Sequence, residues 1–174
     1  MDNKLKSAAN SLVVKSEILM PNDTNPFGNL MGGRLMYWMD IAAAISAQRH
    51  SNCLTVTASV DNISFNHPIE TGSVITLTAR VTRAFNTSME VYIEVTAENI
   101  PSGTKFKSNS AFFTFVAVDQ SGRPLPVPAL VPETDFEKEL FAGALRRRQL
   151  RLILAGRLQP HDANELKAIF DQKL

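Results

Sequence analysis

Two runs of strict alternation dominate the middle of the chain. Ile75, Leu77, Ala79 and Val81 alternate with Thr76, Thr78, Arg80 and Thr82. Met89, Val91, Ile93, Val95 and Ala97 alternate with Glu90, Tyr92, Glu94, Thr96 and Glu98. A repeat of two is the signature of a strand with one wet face. The short Asn86-Thr87 link predicts that the two strands form an antiparallel hairpin. Thr55–Phe65, closed by Asn66-His67-Pro68, predicts a strand before the hairpin, and Lys107–Asp119 one after it. Phe112 to Val116 is apolar on both faces, which puts that strand inside the sheet. Ser11–Ile18 predicts a short first strand.

The period changes between Gly33 and His50. This stretch has no proline, and residues 35 to 39 and 41 to 45 are apolar with only Asp40 between them. Such a run is too continuous for a surface helix with one buried stripe and predicts a helix enclosed on most sides. After Gly122-Arg123-Pro124 the chain is irregular, with prolines at 124, 126, 128 and 132. Thr134-x-x-Glu137 has the form of a capping box. The helix it opens is expected to run to Gly156, and a last short helix starts near Asp162. The order of elements predicts an α+β fold, a curled antiparallel sheet wrapped around one central helix. That domain spans residues 1–132, and residues 133–174 form a helical extension.

With 174 residues, 44% of them apolar and 20% charged, the chain has the make-up of a globular protein with a real core. A net charge of +1 gives no case for nucleic acid or an anionic membrane as partner. A single cysteine, Cys53, excludes an internal disulfide framework and points to a reducing compartment, the cytoplasm. No apolar run predicts a membrane span, and Met1–Asn10 carries no secretory signal. His50, His67 and His161 lack metal-ligand spacing, and no metal is expected. His67 reads as a turn residue and Cys53 as a small filler. Arg146, Arg147, Arg148 and Arg151 make a basic patch on the tail helix, by default a solvated face and otherwise a contact for an acidic partner.

Candidate chemistry gathers where the loop meets the long helix. Gly32 and Gly33 let the backbone approach a ligand closely, and the free N–H groups of a helix start can hold an oxyanion. Asp40 follows Gly33 by seven residues, about two turns on and on the same face. A carboxylate in so apolar a helix is costly to bury without a partner or a chemical use. Asn29 lies just before the glycines, and its amide can donate to a carbonyl or orient a water.

Asp23-Thr24-Asn25-x-x-Gly28-Asn29-x-x-Gly32-Gly33, followed by Met39-Asp40-x-Ala42-Ala43, resembles the hotdog-fold acyl-CoA thioesterases, in particular the cytosolic acyl-CoA hydrolase branch. The similarity continues through Val60-Asp61-x-Ile63-x-Phe65-x-x-Pro68-Ile69 and Gly72. It ends with Phe113 to Asp119 and Gly122-Arg123-Pro124, so it covers about residues 11 to 128. The resemblance implies a homodimer with shared active sites, assembling as a trimer of dimers into a hexamer. Asn29 would come from one subunit and Asp40 from the other, and the amides at Gly32 and Gly33 would polarise the thioester carbonyl. It also implies hydrolysis of acyl-CoA to free acid and CoA, with no cofactor beyond the CoA of the substrate. The anionic part of CoA needs cations, for which Arg83 and Arg123, with Thr87 and Ser88, are the candidates at strand ends beside turns. Two other functions stay open: a non-catalytic acyl-CoA binding or sensor module, and a hotdog hydratase or dehydratase, which would pair an acid with a histidine.

Overall fold

The alternating runs pair with each other as the hairpin prediction requires. The computed structural model describes residues 5–61, 63, 65 and 67–171. In chain order it contains β1 (Lys6–Ser7), β2 (Val13–Ile18), α1 (Gly32–Ser51), β3 (Leu54–Asp61), β4 (Val74–Ala84), β5 (Ser88–Asn99), β6 (Thr104–Val118), β7 (Leu130–Val131), α2 (Asp135–Leu154) and α3 (Asn164–Asp171). Five strands form one antiparallel sheet in the order β2-β4-β5-β6-β3. Val81 of β4 lies opposite Val91 of β5, and Val91 opposite Phe113 of β6. β6 therefore has neighbours on both sides, as its two apolar faces predict. β2 and β3 are the sheet edges.

α1 packs on all five strands. One helix held by a single antiparallel sheet is the hotdog arrangement. Its inner face supplies Leu35, Met39, Ala42, Ala43 and Ala47, all 1% exposed or less, and the sheet supplies Ile75, Leu77, Ile93, Phe113 and Phe115, equally buried. Each large aliphatic or aromatic side chain so buried contributes about 1.5–3 kcal/mol. The helix stops at Asn52, whose φ of 55° turns the chain into β3.

Two expectations change. α1 is not enclosed within one chain: Met36, Tyr37 and Ile45 are 38%, 55% and 39% exposed. With Asp40, Ile41 and Ala44, half-buried, they make a second, apolar face. The continuous apolar run covers two faces, of which only one packs on the chain's own sheet. β3 ends at Asp61 and not at Phe65, and Asn62, Ser64 and Asn66 lie outside the described residues, as do Met1–Lys4 and Gln172–Leu174.

Contacts divide the chain into two compact units, Met1–Val131 and Pro132–Leu174. In the second, the capping box is formed. Thr134 accepts the Glu137 amide at 3.2 Å, and Glu137 Oε2 accepts the Thr134 amide at 3.1 Å. Among the described residues no helix is long and apolar enough to cross a membrane.

Candidate active site

The loop before α1 is tied into a fixed shape by its own polar groups. The Met31 amide donates to Asp23 O at 3.0 Å, and the Asn25 amide to Asn29 O at 2.7 Å. Gly28 sits at φ +76°, a conformation that favours glycine, and its amide donates to Asn25 O at 2.9 Å. Asn25 Oδ1 accepts two backbone amides, those of Phe27 at 2.9 Å and Asn29 at 3.2 Å. Both lone pairs of that oxygen are thereby used, and the NH₂ group is oriented as a donor. Arg34, in the first turn of α1, clamps the loop to the helix through Asp23, with Nε 2.7 Å from Oδ1.

Asn25 and Asn29 line a cavity of about 270 Å³ together with Leu35, Phe65, His67 and Asn109. A cavity of about 150 Å³ already holds a benzene ring. Asn29 also forms a bridge to Glu70, which ties the loop to the segment entering β4. His67, expected as a turn residue, stands on the cavity wall, with its ring edge-on to Phe106 at 5.9 Å. Sequence offered no sign of this, because the approach of residue 67 to residues 25 and 29 is purely tertiary.

α1 begins beside this cavity. Met31 provides no side-chain cap, so the first amides of the helix stay available and the positive end of its dipole is exposed. The two glycines are not equivalent. A Cβ on Gly32 would lie 3.2 Å from Phe65 Cζ, whereas one on Gly33 would meet nothing within 4 Å. Phe65 accounts for the glycine at 32, whereas nothing in the chain itself crowds position 33.

Asp40 is not part of the cavity lining. It is half-buried, on the exposed apolar face of α1, and Thr57 Oγ1 of the edge strand β3 donates to its Oδ1 at 2.7 Å. Thr57 was invisible as a site residue in the sequence, where it is one polar position of a strand. Leu54 and Val56 beside it are 58% and 50% exposed. Asp40 and Asn29 thus occupy neighbouring surfaces that one chain does not join into a single site.

A second cavity, about 780 Å³, lies at the other end of the molecule among Asn52, Cys53, Phe85, Asn86, Pro126 and Pro128. Arg83 precedes its wall at Ala84, Thr87 and Ser88 follow it at Asn86, and Arg123 stands three residues before Pro126. None of the four candidate CoA contacts is itself a lining residue of either cavity. Leu35 of α1 lines the first cavity and Ser51 the second, about 24 Å apart along the helix. Cys53 is half-buried in the wall. Next to it, His50 is fully buried, with Nε2 2.8 Å from Pro128 O and Nδ1 unpartnered among the described residues. Burial, and then the nearby Lys6 charge, hold His50 below its usual pKa against the opposing pull of the Pro128 carbonyl. Among the described residues no three His, Cys, Asp or Glu side chains are grouped to hold a metal.

Residues 27–104 match the thioesterase superfamily model. The chain is 42% identical over 141 residues to the uncharacterized acyl-CoA thioester hydrolase YkhA of Bacillus subtilis, covering 81% of this chain and 82% of that one. It is 40% identical over 161 residues to the human cytosolic acyl coenzyme A thioester hydrolase, where it covers 91% of itself and 42% of the longer human protein. Among solved structures, an apo-hexameric acyl-CoA thioesterase superposes with a TM-score of 0.85 at 36% identity, covering 87% of this chain and 97% of that one. The Staphylococcus aureus acyl-CoA hydrolase, solved with butyryl coenzyme A, coenzyme A and coenzyme A disulfide, gives 0.81 at 34% identity over 88% and 96%. That enzyme has also been solved with alanine replacing an aspartate, an asparagine and a threonine. There the asparagine precedes the aspartate by fifteen positions and the threonine follows it by seventeen. Asn25 and Thr57 stand in the same register to Asp40.

Proposed function

We propose that this chain, which belongs to the acyl-CoA thioester hydrolases of the thioesterase superfamily, cleaves acyl-CoA to free acid and CoA in a site completed by a second copy of itself. The observation that carries this is Asp40, a carboxylate anchored by Thr57 on an apolar helix face that its own chain leaves open. An acid on a surface destined for burial is costly unless something uses it. Two-fold pairing through the α1 faces and β3 edges would bury that face and set Asp40 of one copy at the Asn25 cavity of the other. The hexameric relatives support an assembly built from such dimers.

The chemistry follows from the groups available. A thioester is an activated acyl group, so attack on its carbonyl needs a base for water and donors for the developing oxyanion. The first amides of α1, at Gly32 and Gly33, receive the carbonyl oxygen at the positive end of the helix dipole. The Asn25 NH₂, held by its two backbone bonds, orients the carbonyl or the water, and Asn29 remains on the wall beside it. Asp40 takes a proton from water as its oxygen bonds to the carbonyl carbon. The tetrahedral oxyanion then collapses, the C–S bond breaks, and the thiolate leaves and receives that proton. A thiol, ordinarily with a pKa near ~8.5, leaves without a strong acid to help it.

The nucleotide end of CoA is assigned to the 780 Å³ cavity, whose wall residues Ala84 and Asn86 are sequence neighbours of Arg83 and Thr87, with Ser88 and Arg123 as further candidate contacts. Because the two cavities lie toward opposite ends of α1, about 24 Å apart, the nucleotide is given to a different copy from the one whose helix start holds the thioester. We place the enzyme in the cytoplasm, in line with the cytosolic relatives.

A thiol-release assay over a series of acyl-CoA chain lengths tests the assignment. Asp40→Ala should lose about 10²–10⁴ of kcat while the oligomer persists. Full turnover in that variant removes Asp40 from the mechanism. Binding of acyl-CoA by the unmodified chain with no thiol released would instead make it a sensor. Mixing tests the sharing: Asn25→Ala and Asp40→Ala chains, each inactive, should recover about a quarter of normal activity when reassembled one to one, because half the dimers are mixed and each holds one intact site. No recovery would put both groups in one chain's site.

A further inference from the structure

Beside the Asn25 cavity the pairing of β6 slips by one residue. Val95 of β5 lies opposite Asn109 and Thr96 opposite Lys107, so Ser108 is an extra residue, a bulge. Val95 belongs to the fully buried inner row of β5, and Asn109 shares its face. Ser108 and Asn109 are both buried, where plain alternation would bury one of the two. Past the bulge, Lys107 reaches Glu94 on the opposite face at 2.6 Å. Phe106, opposite Ala97, returns to the inner face and meets the ring of His67. The rest of this inner row is apolar: Ala111, Phe113, Phe115 and Ala117. A buried amide at its end is costly unless it is bonded and used. Ser108 Oγ donates to Asn109 Oδ1, which holds the side chain in one orientation. Asn109 is also where the sheet lines the cavity, together with Leu35 of α1.

We propose that the acyl group of the substrate lies in this cavity, and that Asn109, fixed by the Ser108 bulge, closes it to acyl chains longer than about eight carbons. This rests on the hydrolase reading, in which the thioester carbonyl lies beside Asn25 and the start of α1. The two arms of that carbonyl diverge. The sulfur arm leads out to CoA, whose nucleotide is held by another copy. The acyl arm is left with the space between α1 and the sheet, where Leu30, Leu35 and Ile69 give it apolar walls. A benzene ring, with its six carbons, fills a cavity of about 150 Å³. At that density 270 Å³ holds about ten heavy atoms. The carbonyl oxygen and the attacking water take two of them, and the acyl carbons share the rest. Asn109 sets the limit by its bulk in a fixed place, with strand backbone behind it and Ser108 holding its amide.

The test is thiol release by the full-length chain with saturated acyl-CoAs of two to sixteen carbons. For the parent, kcat/KM should rise to about eight carbons and then fall, by about tenfold for a methylene that the pocket cannot hold. Asn109→Ala removes the amide group and makes room for about two more methylenes, so the ratio of kcat/KM for ten carbons over two should rise at least about tenfold. Asn109→Leu keeps the bulk and should keep the limit. Ser108→Ala releases the amide and should broaden the profile toward longer chains. A merely structural residue would lower all chain lengths alike and leave the ratio unmoved, and scanning fluorimetry reports the folding of each variant. The parent profile needs no substitution: kcat/KM still rising through sixteen carbons would overturn the limit, as would an unmoved ratio in folded Asn109→Ala. Hydrolysis would stand in both cases. No thiol released at any length would instead remove the hydrolase reading, and this limit with it.

Discussion

Gly33→Ala distinguishes a helix start that merely begins a helix from one that receives a ligand. Within one chain the added methyl meets nothing closer than 4 Å. Alanine suits a helix better than glycine, chiefly because it restricts the unfolded chain, and at a compatible site the gain is about 0.5 kcal/mol. For a chain of this length that raises Tm by about 1–2 °C. If the thioester carbonyl sits against the Gly33 amide, the same methyl stands in its way, and a displacement of roughly 1 Å costs on the order of 10² in rate. The expected variant is therefore as stable as the parent or slightly more so, and about a hundredfold slower in thiol release. Gly32→Ala is the internal control. Its methyl would press on Phe65 Cζ at 3.2 Å, so the ring must yield by a few tenths of an ångström and the stability gain disappears. Differential scanning fluorimetry gives Tm, light scattering gives assembly, and thiol release gives turnover. Undiminished turnover in Gly33→Ala, with the oligomer intact, would show that no substrate approaches the start of α1, and the oxyanion assignment would fall with it.

Three further outcomes follow from individual contacts. Thr57→Val keeps the shape but removes the donor at 2.7 Å from Asp40 Oδ1; allowing for exposure of Thr57, the loss corresponds to roughly 1.4 kcal/mol, or about tenfold in kcat with KM little changed, and an unaltered kcat would take Thr57 out of the site. Arg34→Ala opens the clamp to Asp23; as a partly exposed pair it is worth only about 0.2–1 kcal/mol of stability, so a fall in kcat/KM well beyond that, recovered by the exchange Asp23→Arg with Arg34→Asp, would mark it as positioning the Asn25 loop, whereas equal small losses in Tm and rate would mark it as structural. His50 is held neutral by burial, so the unfolded chain binds its proton more readily than the folded one; stability should be full above pH 6.5 and fall as the pH drops below it, and this slope, read from Tm between pH 5 and 7.5, should be absent in His50→Gln.

The parts of this molecule that are local in sequence were legible there, and the parts made by tertiary approach were not. The alternation at residues 75–82 and 89–98 needs only the pleat of a strand to be understood, and both strands and their hairpin appear as expected. The Thr134 and Glu137 capping box is a contact over three residues and is equally readable. Sequence put the amide on Asn29; the proposed role moves to Asn25, whose Oδ1 is used by two amides of the folded loop, a feature that only tertiary structure displays. Thr57 reaches Asp40, and His67 the Asn25 cavity, only through the turn from helix to sheet and the return of the chain after β3.

α1 shows why an apolar pattern fixes burial without naming the neighbour. Its inner face meets its own sheet, and its outer face, with Met36, Tyr37, Ile41 and Ile45, is just as apolar yet open in one chain. Hydrophobicity alone cannot distinguish the two, since the driving force depends on area removed from water and not on which chain removes it. The distinction comes from the polar residue each face tolerates. The inner face carries Ser46 and His50, fully buried within the chain. The outer face carries Asp40, an acid that a purely adhesive surface would exclude, held in a defined orientation by Thr57. A carboxylate at such a position argues that the surface was shaped for assembly and catalysis together, and that closing the dimer is what makes the acid useful. If so, catalysis should track subunit association: dilution below the dimer dissociation constant should lower the specific activity in step with the fraction dimeric. Constant activity per chain through that transition would sever the link between the helix face and the chemistry.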